Sequence, residues 1–307
     1  MRNRNGLSLA GVVLAAGGTG LVAAQSDAAQ IVSVSFEETS GTLAVDAIGS
    51  PASNGIVDTD EDANLGGPDL NVPGIVGSGI SLDGLDDGVR FGDTSEFKGV
   101  GNSASEFTFV VWVKDIDPQT AGPFERIFDN TNTNQGAATV GGRGWRLNTN
   151  GSDVTLQVLE FGSANNINHT FTTLRDFNDD GWSLVALRYD VTGGDNFAEV
   201  SILYDSDSGV DASFVDANTE TIAGLGTITF GSLAQPRLGH RSDNLSTPNN
   251  LAASFDELGY FDTALTDAEL AAYFLNVVPE PSSLALLAVG GGLIVARRRR
   301  SGTKASA

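Results

Sequence analysis

The chain contains no cysteine and only two histidines, His169 and His240. Thiol catalysis, zinc–thiolate sites and a disulfide framework are therefore excluded. Two histidines 71 positions apart also offer little to a histidine-based metal cluster. Basic side chains are scarce: 17 Lys plus Arg stand against 39 Asp plus Glu in 307 residues, a formal charge of −22. Seven of those bases lie at the two ends, so residues 31–278 carry 37 acids against 10 bases, a net of −27. A body this acidic repels a phosphate backbone, which excludes general nucleic-acid binding. What is present suffices for a core, since 40% of the residues are hydrophobic and a body of this size suits one large β domain.

The two ends have the composition of targeting segments. In residues 1–29, Arg2 and Arg4 form a basic start, Leu7 to Val22 an apolar stretch, and Val22-Ala23-Ala24 a small-residue exit, the pattern of a cleaved secretory signal. At the other end, residues 277–307 carry Pro279-Glu280-Pro281, an apolar run to Ala296, and Arg297, Arg298, Arg299 and Arg300. Counted from Pro281 that run has 16 residues, about 24 Å as a helix. A bilayer core is about 30 Å thick, so this is a weak transmembrane anchor suited to temporary residence. Basic flanks stay on the cytoplasmic side, which places the acidic body outside.

Val278-Pro279-Glu280-Pro281-Ser282-Ser283, the short apolar helix and the terminal arginines resemble the PEP-CTERM protein-sorting signal. That resemblance implies an exosortase-type processing enzyme as partner and cleavage near Pro279, Glu280 and Pro281. It also implies initial anchoring in the inner membrane of a Gram-negative bacterium, with a destination at the cell surface or in an exopolysaccharide matrix.

Residues 30–276 read as one all-β domain. Short alternating or β-rich runs such as Phe107 to Val113, Val154 to Phe161 and Ser183 to Tyr189 are separated by turns such as Asn54-Gly55, Asp83-Gly84 and Asp180-Gly181. In the first run, Phe107, Phe109, Val111 and Val113 share one face by the period of two. Thr108, Val110 and Trp112 occupy the other, which predicts a strand covered on both sides. No βαβ alternation is visible, so an antiparallel sandwich is expected. One helix is marked: Thr266-Asp267-Ala268-Glu269 forms a capping box, with Leu265 and Leu270 as its hydrophobic staple, and the helix runs to about Leu275.

Five segments in order resemble the LamG-like (concanavalin A-like) jelly-roll family. They are Val34 to Gly41 with Asp46, the hairpin Gly79 to Val89, the Trp-bearing strands Phe107 to Lys114 and Gly181 to Asp190, and the closing Phe255 to Thr266. The resemblance implies a two-sheet antiparallel jelly roll with one short C-terminal helix. Gly88 stands where that hairpin usually carries an aromatic, which implies a lost surface contact.

Catalytic patterns are absent. No Glu-x-Asp-x-x-Glu run places paired carboxylates on one strand face, and no Gly-x-Ser-x-Gly elbow accompanies a histidine. Both histidines are read as surface-loop residues. Calcium is the more plausible ligand, because hard cations take carboxylate and carbonyl oxygens. In Asp58 to Asp69, the residues Asp58, Asp60, Asp62 and Asp69 take the first, third, fifth and last ligand positions of an EF-type loop. Ala63 replaces its glycine, however, and no helices flank it, so a solvated acidic loop stands as the alternative. The family resemblance adds Glu37 and Asp256 as candidates for a structural calcium. Trp112 and Trp182 lie in β-rich strands and are read as core. Trp145, within Gly141 to Arg146, is read as a surface aromatic for stacking on a sugar ring. The sequence thus points to a non-catalytic exported domain that binds glycan or matrix protein. A glycan-acting hydrolase or lyase with dispersed carboxylates, and a structural calcium-binding surface component, remain as alternatives.

Overall fold

The computed structural model describes residues 28–277 except 39, 42, 49–53, 59–67, 86, 93–95, 100–102, 118–124, 132–142, 150–152, 160–166, 173–180, 193–196, 207–208, 211–215, 221–224, 231–234 and 241–249. The secretory-signal and sorting-signal segments, with their apolar helix, therefore lie outside the described residues apart from their inner edges. Among the described residues no helix is long and apolar enough to cross a membrane.

The chain opens with β1 (Gln30–Val34), β2 (Leu43–Ala44), β3 (Gly55–Asp58), β4 (Asp69–Pro73), β5 (Ser78–Asp83) and β6 (Gly88–Phe91). A 3-10 turn at Glu96–Lys98 leads to β7 (Ser103–Ala104), β8 (Glu106–Asp117), β9 (Glu125–Thr131), β10 (Gly144–Thr149), β11 (Asp153–Leu159) and β12 (Ile167–Thr172). Next come β13 (Ser183–Asp190), β14 (Phe197–Ser206), β15 (Gly209–Val210), β16 (Asp216–Glu220) and β17 (Ile228–Thr229). The last elements are β18 (Arg237–Leu238), β19 (Ala252–Phe261) and the helix α1 (Asp267–Val277).

Two antiparallel sheets form a sandwich. The nine-stranded sheet runs β15-β14-β13-β8-β19-β5-β4, with β1 added on β19 and β16 on β14. The eight-stranded sheet runs β12-β11-β10-β9-β18-β6-β3-β2. Alternation places the apolar residues of each strand in the layer between them. Phe107 is central there. Its ring stacks on Trp145 at 5.1 Å, Tyr189 at 5.3 Å and Tyr260 at 5.4 Å, and so ties β8 to its own sheet and to the opposite one. Such pairs contribute about 0.5–1.5 kcal/mol each beyond the area they bury.

The second face of β8 is covered as its sequence predicts. Val110 and Trp112 join Leu184, Ala186, Phe261, Leu265, Leu270 and Phe274 in a separate cluster beneath α1. Trp112 lies 5.1 Å from Phe274. The capping box is formed: the Thr266 amide donates to Glu269 Oε2 at 2.7 Å, and the Glu269 amide donates to Thr266 Oγ1 at 3.3 Å. A buried polar clasp fixes the entry to the helix. Arg188 Nη1 donates to the Leu265 carbonyl at 2.9 Å and reaches Asp267 at 2.6 Å, while its Nη2 pairs with Glu199. Thr108 Oγ1 accepts the Leu265 amide at 2.8 Å and donates to the Thr263 carbonyl at 2.8 Å.

Two variants separate packing from capping at this helix. Phe274→Ala should destabilise by about 3–5 kcal/mol, the range for truncating a buried aromatic. Thr266→Ala should cost about 1 kcal/mol, the usual loss of a cap. Urea unfolding measures both, and equal losses would show that α1 is held by its cap rather than by its apolar face.

Candidate functional site

The calcium candidates separate into two groups. Asp60 and Asp62 lie outside the described residues. Asp58 ends β3, paired with Gly88 in the eight-stranded sheet. Asp69 begins β4, exposed and paired with Ser81 in the nine-stranded sheet. An EF-type loop folds its two ends onto one ion, whereas the ends of this segment are built into opposite sheets.

Glu37 and Asp256 do converge, on the β4–β5 turn. The fully buried Asp256 accepts the amides of Ile75 at 2.8 Å and Val76 at 3.1 Å through Oδ2, and that of Glu257 at 2.8 Å through Oδ1. Glu37 Oε2 accepts the Ser78 amide at 3.2 Å. Gly77 has a φ of +56°, and a Cβ there would stand 2.3 Å from Glu37 Oε1. Glycine therefore lets this turn settle on the carboxylate. Glu257 is itself left-handed, with φ of 45°, at the point where the β19–β8 register shifts. These acids hold backbone amides that have no strand partner in a half-buried turn. Among the described residues no group of three or more His, Asp or Glu side chains is arranged to hold a metal ion.

Trp145 is not a surface aromatic. It is fully buried, stacked 5.2 Å from Phe128 and 5.1 Å from Phe107, because position 145 falls on the inward phase of β10. Trp112 is core as expected, and Trp182 is half-buried. Neither histidine sits on a surface loop. His169 is a β12 residue packed edge-on against Phe171 at 4.7 Å. His240 is 1% exposed and explains Gly88: a Cβ at position 88 would lie 2.6 Å from His240 Cβ. The space an aromatic would need is occupied by His240.

The outward phase of the same strands builds what the sequence analysis did not identify. Arg90, Arg237, Asp129, Arg146, Gln157 and Asn168 stand in register across β6, β18, β9, β10, β11 and β12. Arg146 Nε donates to Gln157 Oε1, and Gln157 Nε2 donates to Asn168 Oδ1 at 3.2 Å. One step along, Thr155 and Thr170 hydroxyls are 3.0 Å apart, and Arg126 Nη1 donates to Asn148 Oδ1 at 2.5 Å. Asp129, Arg126 and Arg237 are buried, Arg146 and Gln157 half-buried, and Asn168 and Thr170 exposed. Four of the ten bases of the acidic body, Arg90, Arg126, Arg146 and Arg237, thus lie on one face. The signal was the alternation Trp145-Arg146-Leu147-Asn148. Its meaning depended on which strands became neighbours.

Residues 277–300 match the PEP-CTERM protein-sorting motif. The match implies an exported protein at the cell envelope or surface, processed by an exosortase-type enzyme. No curated protein matches the sequence. Among solved structures the fold is similar to the binding domain of Paraclostridial Mosquitocidal Protein 1, at TM-score 0.52 and 12% identity, covering 80% of this chain and 51% of that one. The binding domain of botulinum neurotoxin serotype G gives TM-score 0.51 and 13% identity over 80% and 51%. Domain 4 of AbnA, an extracellular arabinanase from Geobacillus stearothermophilus, solved with arabinotriose, gives 0.51 and 16% over 82% and 99%. The chain therefore spans about half of each toxin binding domain it matches and nearly all of the arabinanase domain. At these identities the likeness establishes the fold alone.

Burial pushes the Asp256 carboxyl from 3.8 up to about 7; the Val76 amide opposes this and the Glu257 charge adds to it. Between those values the native state holds a proton that the unfolded chain has released. The contribution of Asp256 to stability therefore falls as pH rises from about 4 to about 7. Urea unfolding across that range should show the decline, and Asp256→Asn should flatten it. An unchanged slope in the variant would place the effect elsewhere.

Proposed function

We propose that this exported domain is a non-catalytic glycan-binding module of the LamG-like jelly-roll type, serving adhesion or the organisation of an exopolysaccharide matrix. The observation that carries the proposal is the polar row on the outer face of the eight-stranded sheet. Arg146, Gln157, Asn168 and Thr170 offer a guanidinium, two amides and a hydroxyl along the accessible end of that row. Amides and hydroxyls both donate and accept, which suits the hydroxyls of a sugar ring, and a guanidinium presents a fixed fork of donors. Gln157, itself held by Asn168, restrains the Arg146 head, so less of its freedom remains to be lost on binding. The arabinotriose-bound domain, similar in fold over almost its whole length, makes glycan the first ligand class to test. Export and surface sorting put such a face where polysaccharide is found.

A glycan array probed with the full chain, with and without chelator, tests this. Binding is expected under both conditions, and Arg146→Ala should weaken it about tenfold, the usual scale for losing a charge-assisted hydrogen bond. Absence of binding under either condition would overturn the proposal. Binding abolished by chelator would instead favour a calcium-dependent surface component, and shortened oligosaccharide products would favour a hydrolase or lyase.

A further inference from the structure

A strand at the edge of a sheet offers alternate backbone N–H and C=O groups to another strand, and proteins blunt such edges with brevity, bulges, proline or charge. Most edges of this sandwich carry one of those devices. β2 and β15 have two residues each. β4 ends in Pro73 and shifts register between Leu70 and Val72, where Asn71 is left-handed with φ of +68°. β16 has an acid at each end, Asp216 and Glu220. β1 shifts register between Gln30 and Val32 and is covered farther along, where Val34 bridges Asp46 and the Ala47 amide donates to the Ser33 carbonyl at 2.7 Å. β12 carries none of them. It ends the eight-stranded sheet, and among the described residues it pairs with β11 alone, in an unbroken register from Thr172 opposite Asp153 to Ile167 opposite Val158. Its six residues, Ile167-Asn168-His169-Thr170-Phe171-Thr172, include no acid, lysine, arginine, proline or glycine.

The strand is also complementary to itself. Asn168 and Thr170 are exposed on its outer side, while Ile167 and His169 are half-buried and Phe171 is buried on its core side. Residues opposed across an antiparallel joint point to the same face, so two copies related by a twofold axis must pair odd positions with odd and even with even. Centred on His169, the joint sets Ile167 opposite Phe171 of the second copy, extending an apolar phase that already packs on the core. On the outer side it sets Asn168 opposite Thr170 of the second copy, two side chains that each donate and accept. An uncharged strand also lets two bodies of net −27 meet without opposing like charges along the joint itself. We propose that β12 is a docking edge for a second copy of this chain, joined antiparallel about His169 so that the eight-stranded sheets of both copies run into one. Sorting to one surface holds copies close together, which favours such a joint through effective concentration. The polar row then crosses from copy to copy, with Gln157 and Asn168 of one in line with Thr170 and Thr155 of the other. The pairing stands on the edge itself and does not rest on a glycan filling that row.

Sedimentation equilibrium of the full chain in mild detergent tests the assignment. The mass should rise from one copy toward two as protein concentration increases. Asn168→Lys combined with Thr170→Lys sets like charges opposite each other across the joint and should abolish that rise. Its melting temperature should change little, because both positions are exposed. Cysteine, which the chain lacks, reads the register separately. On mild oxidation, a mixture of Asn168→Cys and Thr170→Cys copies should form intermolecular disulfides about tenfold faster than either variant alone, because only the mixture sets two thiols directly opposite. A one-copy mass at every concentration would overturn the proposal. So would a two-copy mass in the lysine variant, which would assign the contact to another surface, and so would equal disulfide rates in the mixture and the single variants. If the lysine variant melts early, the disulfide comparison still decides.

Discussion

The sandwich depends on one strand having to satisfy two cores at once. β8 presents Phe107, Phe109, Val111 and Val113 to the layer between the sheets, and Thr108, Val110 and Trp112 to the layer under α1; all seven are fully buried. A strand apolar on both faces is stable in water only if something covers each face. The eight-stranded sheet supplies one cover. The segment from Phe261 to Phe274 supplies the other, and it is the direct continuation of β19, the neighbour of β8. The helix is therefore part of the core, and the clasp of Arg188, Glu199 and Thr108 sets where it lands.

Acidic residues do more here than keep the surface soluble. Asp46 accepts the amides of Ser33 and Ile48, and Asp87 accepts that of Asp83. Asp256 and Glu37 hold the β4–β5 turn, and Asp190 holds the Thr192 amide and hydroxyl. In a long-looped β protein many backbone amides have no ladder partner, and a carboxylate is a strong acceptor for them. Part of the net −27 is thus structural, in carboxylates that hold backbone amides. Burial of a carboxylate in such a role is what makes Asp256 sensitive to pH.

The elements legible in the sequence were those encoded locally. The double-sided burial of Phe107 to Val113 follows from its alternation, and the helix start from Thr266, Glu269 and their staple. What sequence could not supply was register between distant strands. Trp145 looked exposed because glycines surround it, yet the pairing of β10 with β9 and β11 turns it inward and turns Arg146 outward. His240 looked like a loop histidine, and only its approach to Gly88 from 152 positions away shows it filling a gap. The acidic run from Asp58 matched a calcium loop by spacing alone, while its ends belong to strands in opposite sheets. Glu37 and Asp256 were brought together as expected, but to hold amides.

The pairing of β1 with β19 sets Gln30 beside Phe261, so the first and last strands of the domain have their outer ends together. The chain enters at that end, and α1 leads from it toward the sorting segment. Tension drawn through the C-terminal side first peels α1 from Trp112 one contact after another. It then reaches β19, which is hydrogen-bonded to β8 and β5 within the sheet and capped at its end by β1. Lifting the helix would expose Val110 and Trp112, so the cover of β8 is the first part of the core that such a load meets.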